Sequence, residues 1–143
     1  MKEILYTFCQ RGLYESDAGQ RVSFGAEPWL RLVIEPHEYA LRVSGEVLRQ
    51  SSCRGYTVEI SNLGAACFYD REGTLLAQAE QTPKEYRAFQ FVWQQEQLQI
   101  CFGHEETVDH YPNCDGEFDR WSTSWVTERR VSLNTNNDQL EAN

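Results

Sequence analysis

Lysine is nearly missing from this chain. Only Lys2 and Lys84 stand among the thirteen basic residues, the others being Arg, against twenty-two carboxylates. The result is a net charge of −9, unevenly spread. Residues 1–54 carry seven basic and seven acidic groups, residues 55–100 three and six, and residues 101–143 three and nine. With no basic stripe to meet phosphates, the expectation is no nucleic acid and no anionic membrane surface. A cationic partner or a metal ion suits the charge. The preponderance of Arg favours planar ion pairs and stacking.

Long apolar runs are missing as well. The opening MKEILYTFCQRGLYESD holds one five-residue apolar patch broken by Thr7, too short for a signal-peptide core or a membrane span. The five cysteines, at 9, 53, 67, 101 and 114, are odd in number and follow no disulfide framework. Reduced thiols in a cytoplasmic protein are expected. Phosphate-binding glycine loops, the G-x-S-x-G elbow and H-E-x-x-H do not occur. No linker or low-complexity block divides the chain, so residues 1–133 are expected as a single domain and 134–143 as a polar flexible tail.

Strand signals are plentiful. Ile4, Tyr6 and Phe8 alternate with Leu5 and Thr7. Leu30, Leu32 and Ile34 are answered across Pro36-His37 by Tyr39, Leu41 and Val43, the pattern of a hairpin. Tyr56 to Ile60 alternates again. Ala65 to Tyr69 and Thr74 to Ala79 flank Asp70-Arg71-Glu72-Gly73, a tight turn in which Gly73 supplies a positive φ.

Residues 82–102 admit two readings. Thr82, Pro83 and Glu85 fit the start of a helix. Phe89, Phe91 and Trp93 against Leu98, Ile100 and Phe102 fit a hairpin, and a shift of 59 residues lays the six apolar positions of the Leu30–Val43 segment onto them. The matching alternation favours the hairpin. Arg120 to Leu133 reads as one or two further strands, with Trp121, Thr123 and Trp125 on one face.

Cys101 to Asp119 is the stretch richest in chemistry, with two histidines, two cysteines, six carboxylates and no Lys or Arg. Cys101, His104, His110 and Cys114 are zinc-type ligands, though the five residues between the histidines leave little chain for closing a tetrahedral cage. Asn113, Asp115, Glu117 and Asp119 alternate around Gly116 and could form a calcium loop. An EF-hand is excluded, because Tyr111 and Ser122 fall where its first and last carboxylates belong. The plainer reading is an acidic turn, for which Pro112-Asn113 and Asp115-Gly116 are apt. Cysteine catalysis is disfavoured, since carboxylates oppose thiolate formation. Trp121 and Trp125 could stack a sugar or chromophore, but core packing is the better reading.

These observations predict an all-β protein, an antiparallel barrel of about nine or ten short strands, with a β-sandwich as the alternative. Its length is similar to that of lipocalin barrels, although their early Gly-x-Trp is missing. The expected function is non-catalytic binding of a small apolar ligand or a partner protein. Metal binding (calcium or zinc) around residues 101–119 is the alternative, and a subunit of a larger assembly the third.

Overall fold

Alternating side chains are answered by alternating burial. Along Trp29–Ile34 every second residue is buried, Leu30, Leu32 and Ile34 being at most 2% exposed, while Trp29, Arg31 and Val33 face the other way. A computed structural model describes residues 1–6, 20–94, 96–110 and 120–141, and among these there are twelve strands and no helix. They are β1 (Lys2–Tyr6), β2 (Gln20–Ser23), β3 (Trp29–Ile34), β4 (His37–Val43), β5 (Glu46–Cys53) and β6 (Tyr56–Ser61). The second half holds β7 (Ala66–Tyr69), β8 (Leu75–Ala79), β9 (Ala88–Gln94), β10 (Gln97–His110), β11 (Arg120–Asn134) and β12 (Gln139–Leu140).

Two five-stranded sheets form, in the orders β1-β3-β6-β7-β8 and β12-β11-β10-β9-β2, with β4 and β5 as a separate two-stranded ribbon. Every pairing is antiparallel except β1 with β3. The protein is therefore all-β, as expected. Among the described residues neither ladder closes on itself, so the closed barrel does not appear.

One core takes side chains from both sheets. Leu32, Val58, Ile60 and Phe68 come from the first sheet, and Phe89, Phe91, Leu98, Ile100, Phe102 and Leu133 from the second, all at 0% exposure. Burying each of these large side chains stabilises the fold by roughly 1.5–3 kcal/mol. Tyr6 of the first sheet meets Phe91 of the second edge-on at 4.6 Å between ring centres, and within the second sheet Phe24, just after β2, packs on Phe89 at 5.5 Å.

The Asp70–Gly73 turn is built as its composition predicts. The Asp70 carboxylate accepts from the Glu72 and Thr74 amides at 2.9 and 2.8 Å, and Gly73 adopts φ +88°. Residues 88–102 are a hairpin, with Phe91 opposite Ile100 and Phe89 opposite Phe102. The earlier segment differs. β3 pairs with β1 and β6, whereas β4 pairs with β5, so the expected hairpin across Pro36-His37 is not made. Alternation tells which residues face a core, not which strand lies alongside, and that is why the two segments looked alike.

The polar C-terminal segment is tied down as far as Glu141. Thr135 donates its amide to the Glu96 carbonyl at 2.9 Å, the Glu141 amide reaches the Ser132 carbonyl at 2.8 Å, and β12 pairs with the end of β11. Arg54 completes the clasp, donating to the Asp138 carboxylate at 2.5 Å and to the Thr135 carbonyl at 2.9 Å.

Candidate functional site

β10 and β11 are much longer than the strands beside them. β9 accompanies β10 only from Gln97 to Gly103, after which β10 and β11 run on as a two-stranded arm from the pair His104–Val126 to the pair His110–Arg120. Seven residues of extended chain carry it roughly 20 Å beyond the core. The core side chains of these strands, Leu98, Ile100, Phe102, Val131 and Leu133, all lie inboard of the arm. Beyond them Glu105, Glu106, Thr107, Asp109, Ser122, Thr123 and Ser124 are exposed.

The arm begins at a β-bulge. Phe102 pairs with Arg129 and Gly103 with Thr127, which leaves Glu128 as the extra residue. Gly103 is required there, because a Cβ on it would lie 1.9 Å from the Val126 carbonyl oxygen. The extra residue also reverses the parity of β11. Val131 and Leu133 point into the core, but Trp125, opposite Glu105, falls on the outer face of the sheet. Unbroken alternation would have turned it inward, so the bulge corrects the expectation of core packing for this residue. Trp125 is half-buried, and its indole Nε1, though buried, has no hydrogen-bond partner.

Two charged clusters hold the root of the arm. On the outer face, Arg21 of β2 donates to the Glu105 carboxylate at 2.9 Å and lies over the Trp125 ring at 5.8 Å. On the inner face, Glu128 bonds the Lys84 ammonium, and the His104 Nδ1 lies 3.5 Å from its carboxylate. The other ring nitrogen of His104 is 3.2 Å from Glu106. The bond from Lys84 is the main cause that holds the Glu128 carboxyl below its ordinary pKa, and the same bond raises Lys84. Lys84 also sits over the Tyr86 ring at 5.4 Å, and Tyr86 packs on Phe102 at 5.3 Å, so the cluster closes the end of the core.

The expected metal ligands do not converge where they are described. Cys101 and His104 are three residues apart on one strand and therefore project from opposite faces. His104 and His110 are six residues apart on β10, roughly 20 Å along the strand. Cys101 is buried, at 3% exposed. Asn113, Cys114, Asp115, Glu117 and Asp119 lie outside the described residues, in the segment joining the two strands of the arm. Among the described residues no group of three or more His, Cys, Asp or Glu could hold a metal ion. Cys67 is half-buried, and burial, then the Glu59 charge, pushes its thiol upward, away from a reactive thiolate.

By register Glu105 stands opposite Trp125 and Asp109 opposite Trp121. The sequence reading placed these two Trp and Thr123 together. It missed Arg21, Lys84, Glu128 and Gly103. Only Gly103 carried a signal, a lone glycine inside a strand pattern. No protein-family model matches this chain, and neither does any curated protein or solved structure. Among the described residues no helix is long and apolar enough to cross a membrane.

Proposed function

We propose that this chain is a non-catalytic binding domain that docks a partner protein through the β10–β11 arm. The observation that carries the reading is the length of the arm. Two strands continue well past the core with exposed side chains on both faces, a construction that adds nothing to core burial. The segment 104–126 carries six carboxylates and one arginine, so the partner surface it suits is cationic. On the arm, among the described residues, the outward backbone edges of β10 and β11 pair with no further strand, an arrangement suited to strand addition.

A small apolar ligand is the weaker reading, because the inner faces of both sheets are filled with packed side chains. The same packing supports a sandwich over a barrel: one core receives both sheets, and each ladder ends in free edges.

The test is excision of residues 105–125, with His104 joined to Val126 through an Asn-Gly turn. The shortened protein keeps the buried residues of β10 and β11 and is expected to stay folded. Proteins that co-purify with the intact chain from its own cells should be missing from the shortened one. The same set with both would refute the arm as the docking element.

A further inference from the structure

A cavity of about 360 Å³ opens beside the start of β3, on the outer face of the first sheet. Met1, Pro28 and Trp29 give it three apolar walls, and Glu27 and Glu59 add two carboxylates. Among the described residues no basic side chain lines it. The volume is that of a small-molecule site. Its parts stand on fixed backbone. Trp29 and Glu59 project from adjacent strands away from the core, since Leu30 and Ile60 beside them are buried. The turn before β3 is closed by the Glu27 amide, which donates to the Phe24 carbonyl at 2.9 Å. The Pro28 carbonyl accepts from the Asn62 amide at 3.0 Å.

The two carboxylates differ in occupation. Glu59 accepts from Arg31 at 3.2 Å, and Arg31 also lies 3.9 Å from Glu3. Glu27 is exposed, and its carboxylate makes no hydrogen bond or ion pair among the described residues. The half-buried Trp29 ring meets no other ring and no cation among them. An indole beside an unpaired carboxylate attracts a cation, through its quadrupole and through charge alike.

We infer that this cavity binds a quaternary ammonium group. The walls select the kind of cation. A primary ammonium is compact and strongly hydrated, and the apolar surfaces of Met1, Pro28 and Trp29 cannot replace its water. A guanidinium is best held by a carboxylate fork, and Glu59, the carboxylate fixed on the sheet, is already engaged by Arg31. A quaternary ammonium needs neither. Its methyl groups pack on the apolar walls while its charge faces Glu27 and the ring. The site lies on the first sheet and is independent of the docking role of the arm.

The experiment is a titration of the 15N-labelled full chain with three compounds of one skeleton. They are choline, ethanolammonium, and 3,3-dimethylbutan-1-ol, the neutral carbon counterpart of choline. Choline should produce saturable shifts of the Trp29 indole and of the amides around Trp29 and Glu59. The other two should bind about tenfold more weakly or less. Glu27→Gln should weaken choline severalfold. Trp29→Leu should abolish its binding, and Trp29→Phe, which keeps an aromatic face, should fall between. Glu27 is exposed, so its variant leaves the core untouched and keeps the test open if Trp29→Leu unfolds. A blocked peptide carrying trimethyllysine identifies the source. Binding tighter than choline places the group on a partner protein, and weaker binding places it on a small molecule.

Absence of choline binding, or equal binding of the neutral alcohol, would overturn the inference. So would preference for ethanolammonium, or choline shifts that Glu27→Gln and Trp29→Phe leave unchanged.

Discussion

Gly103→Ala tests how the arm is joined to the core. The added Cβ would sit 1.9 Å from the Val126 carbonyl oxygen, where ordinary contact begins near 3.4 Å, so the two strands must open by about 1.5 Å. The neighbour is backbone in a paired strand and cannot swing aside as a side chain would. Overpacking of this kind costs roughly 1–3 kcal/mol, and a ladder hydrogen bond lost beside the bulge adds about 1. A total of about 2–4 kcal/mol lowers the melting temperature of a domain this size on the order of 10 °C. Gly73→Ala is the control. Nothing lies within 4 Å of its added carbon, and only the φ of +88° is strained, for roughly 1–2 kcal/mol. Urea unfolding should rank Gly103→Ala clearly below Gly73→Ala, and hydrogen exchange should speed up in the amides of 104–110. If Gly103→Ala is no worse than the control and those amides stay protected, the bulge is not the junction described above.

Two further outcomes follow from the same region. Phe102→Ala removes a fully buried ring packed on Tyr86 and should cost roughly 3–5 kcal/mol in urea unfolding; a loss below about 1 would mean that the core is not closed there. Lys84→Met should remove stability that the wild type shows only between acid and strongly basic pH. The depressed Glu128 carboxyl contributes above its unfolded value and loses that contribution as the pH falls through its lowered folded value. Raised Lys84 contributes fully below its unfolded value and loses it as the pH rises through its folded value. Both groups are open to solvent, so the difference should be small and shrink with salt. A difference that persists into acid would refute the pairing.

Where one face of a strand is buried, the sequence was readable. Leu30, Leu32 and Ile34, then Phe89, Phe91 and Trp93, then Leu98, Ile100 and Phe102, all lie in the core as their alternation implies. Where both faces meet solvent, the alternation has no cause and disappears. His104 to Asp109 therefore show no strand pattern within the acidic stretch, although they continue β10. Trp125, expected in the core, stands instead on the outer side of the sheet. A single unpaired residue, Glu128, turns that face around, and no count of hydrophobic spacing across Arg120–Leu133 reveals it. The ion pair of Arg21 with Glu105 spans 84 residues and was beyond local reading altogether.

β1 and β2 lie at the edges of different sheets, and their partners differ in age. β1 rests against β3, made soon afterwards, whereas β2 must wait for β9, about 65 residues later. At ordinary rates of translation that gap lasts several seconds. During it β2 has no strand to lie on, and Arg21 has neither the carboxylate nor the indole it will later hold. The second sheet is thus completed at its outer edge by a piece synthesised well before the strand it pairs with, and the root of the arm is fastened only when the two ends of that delay meet.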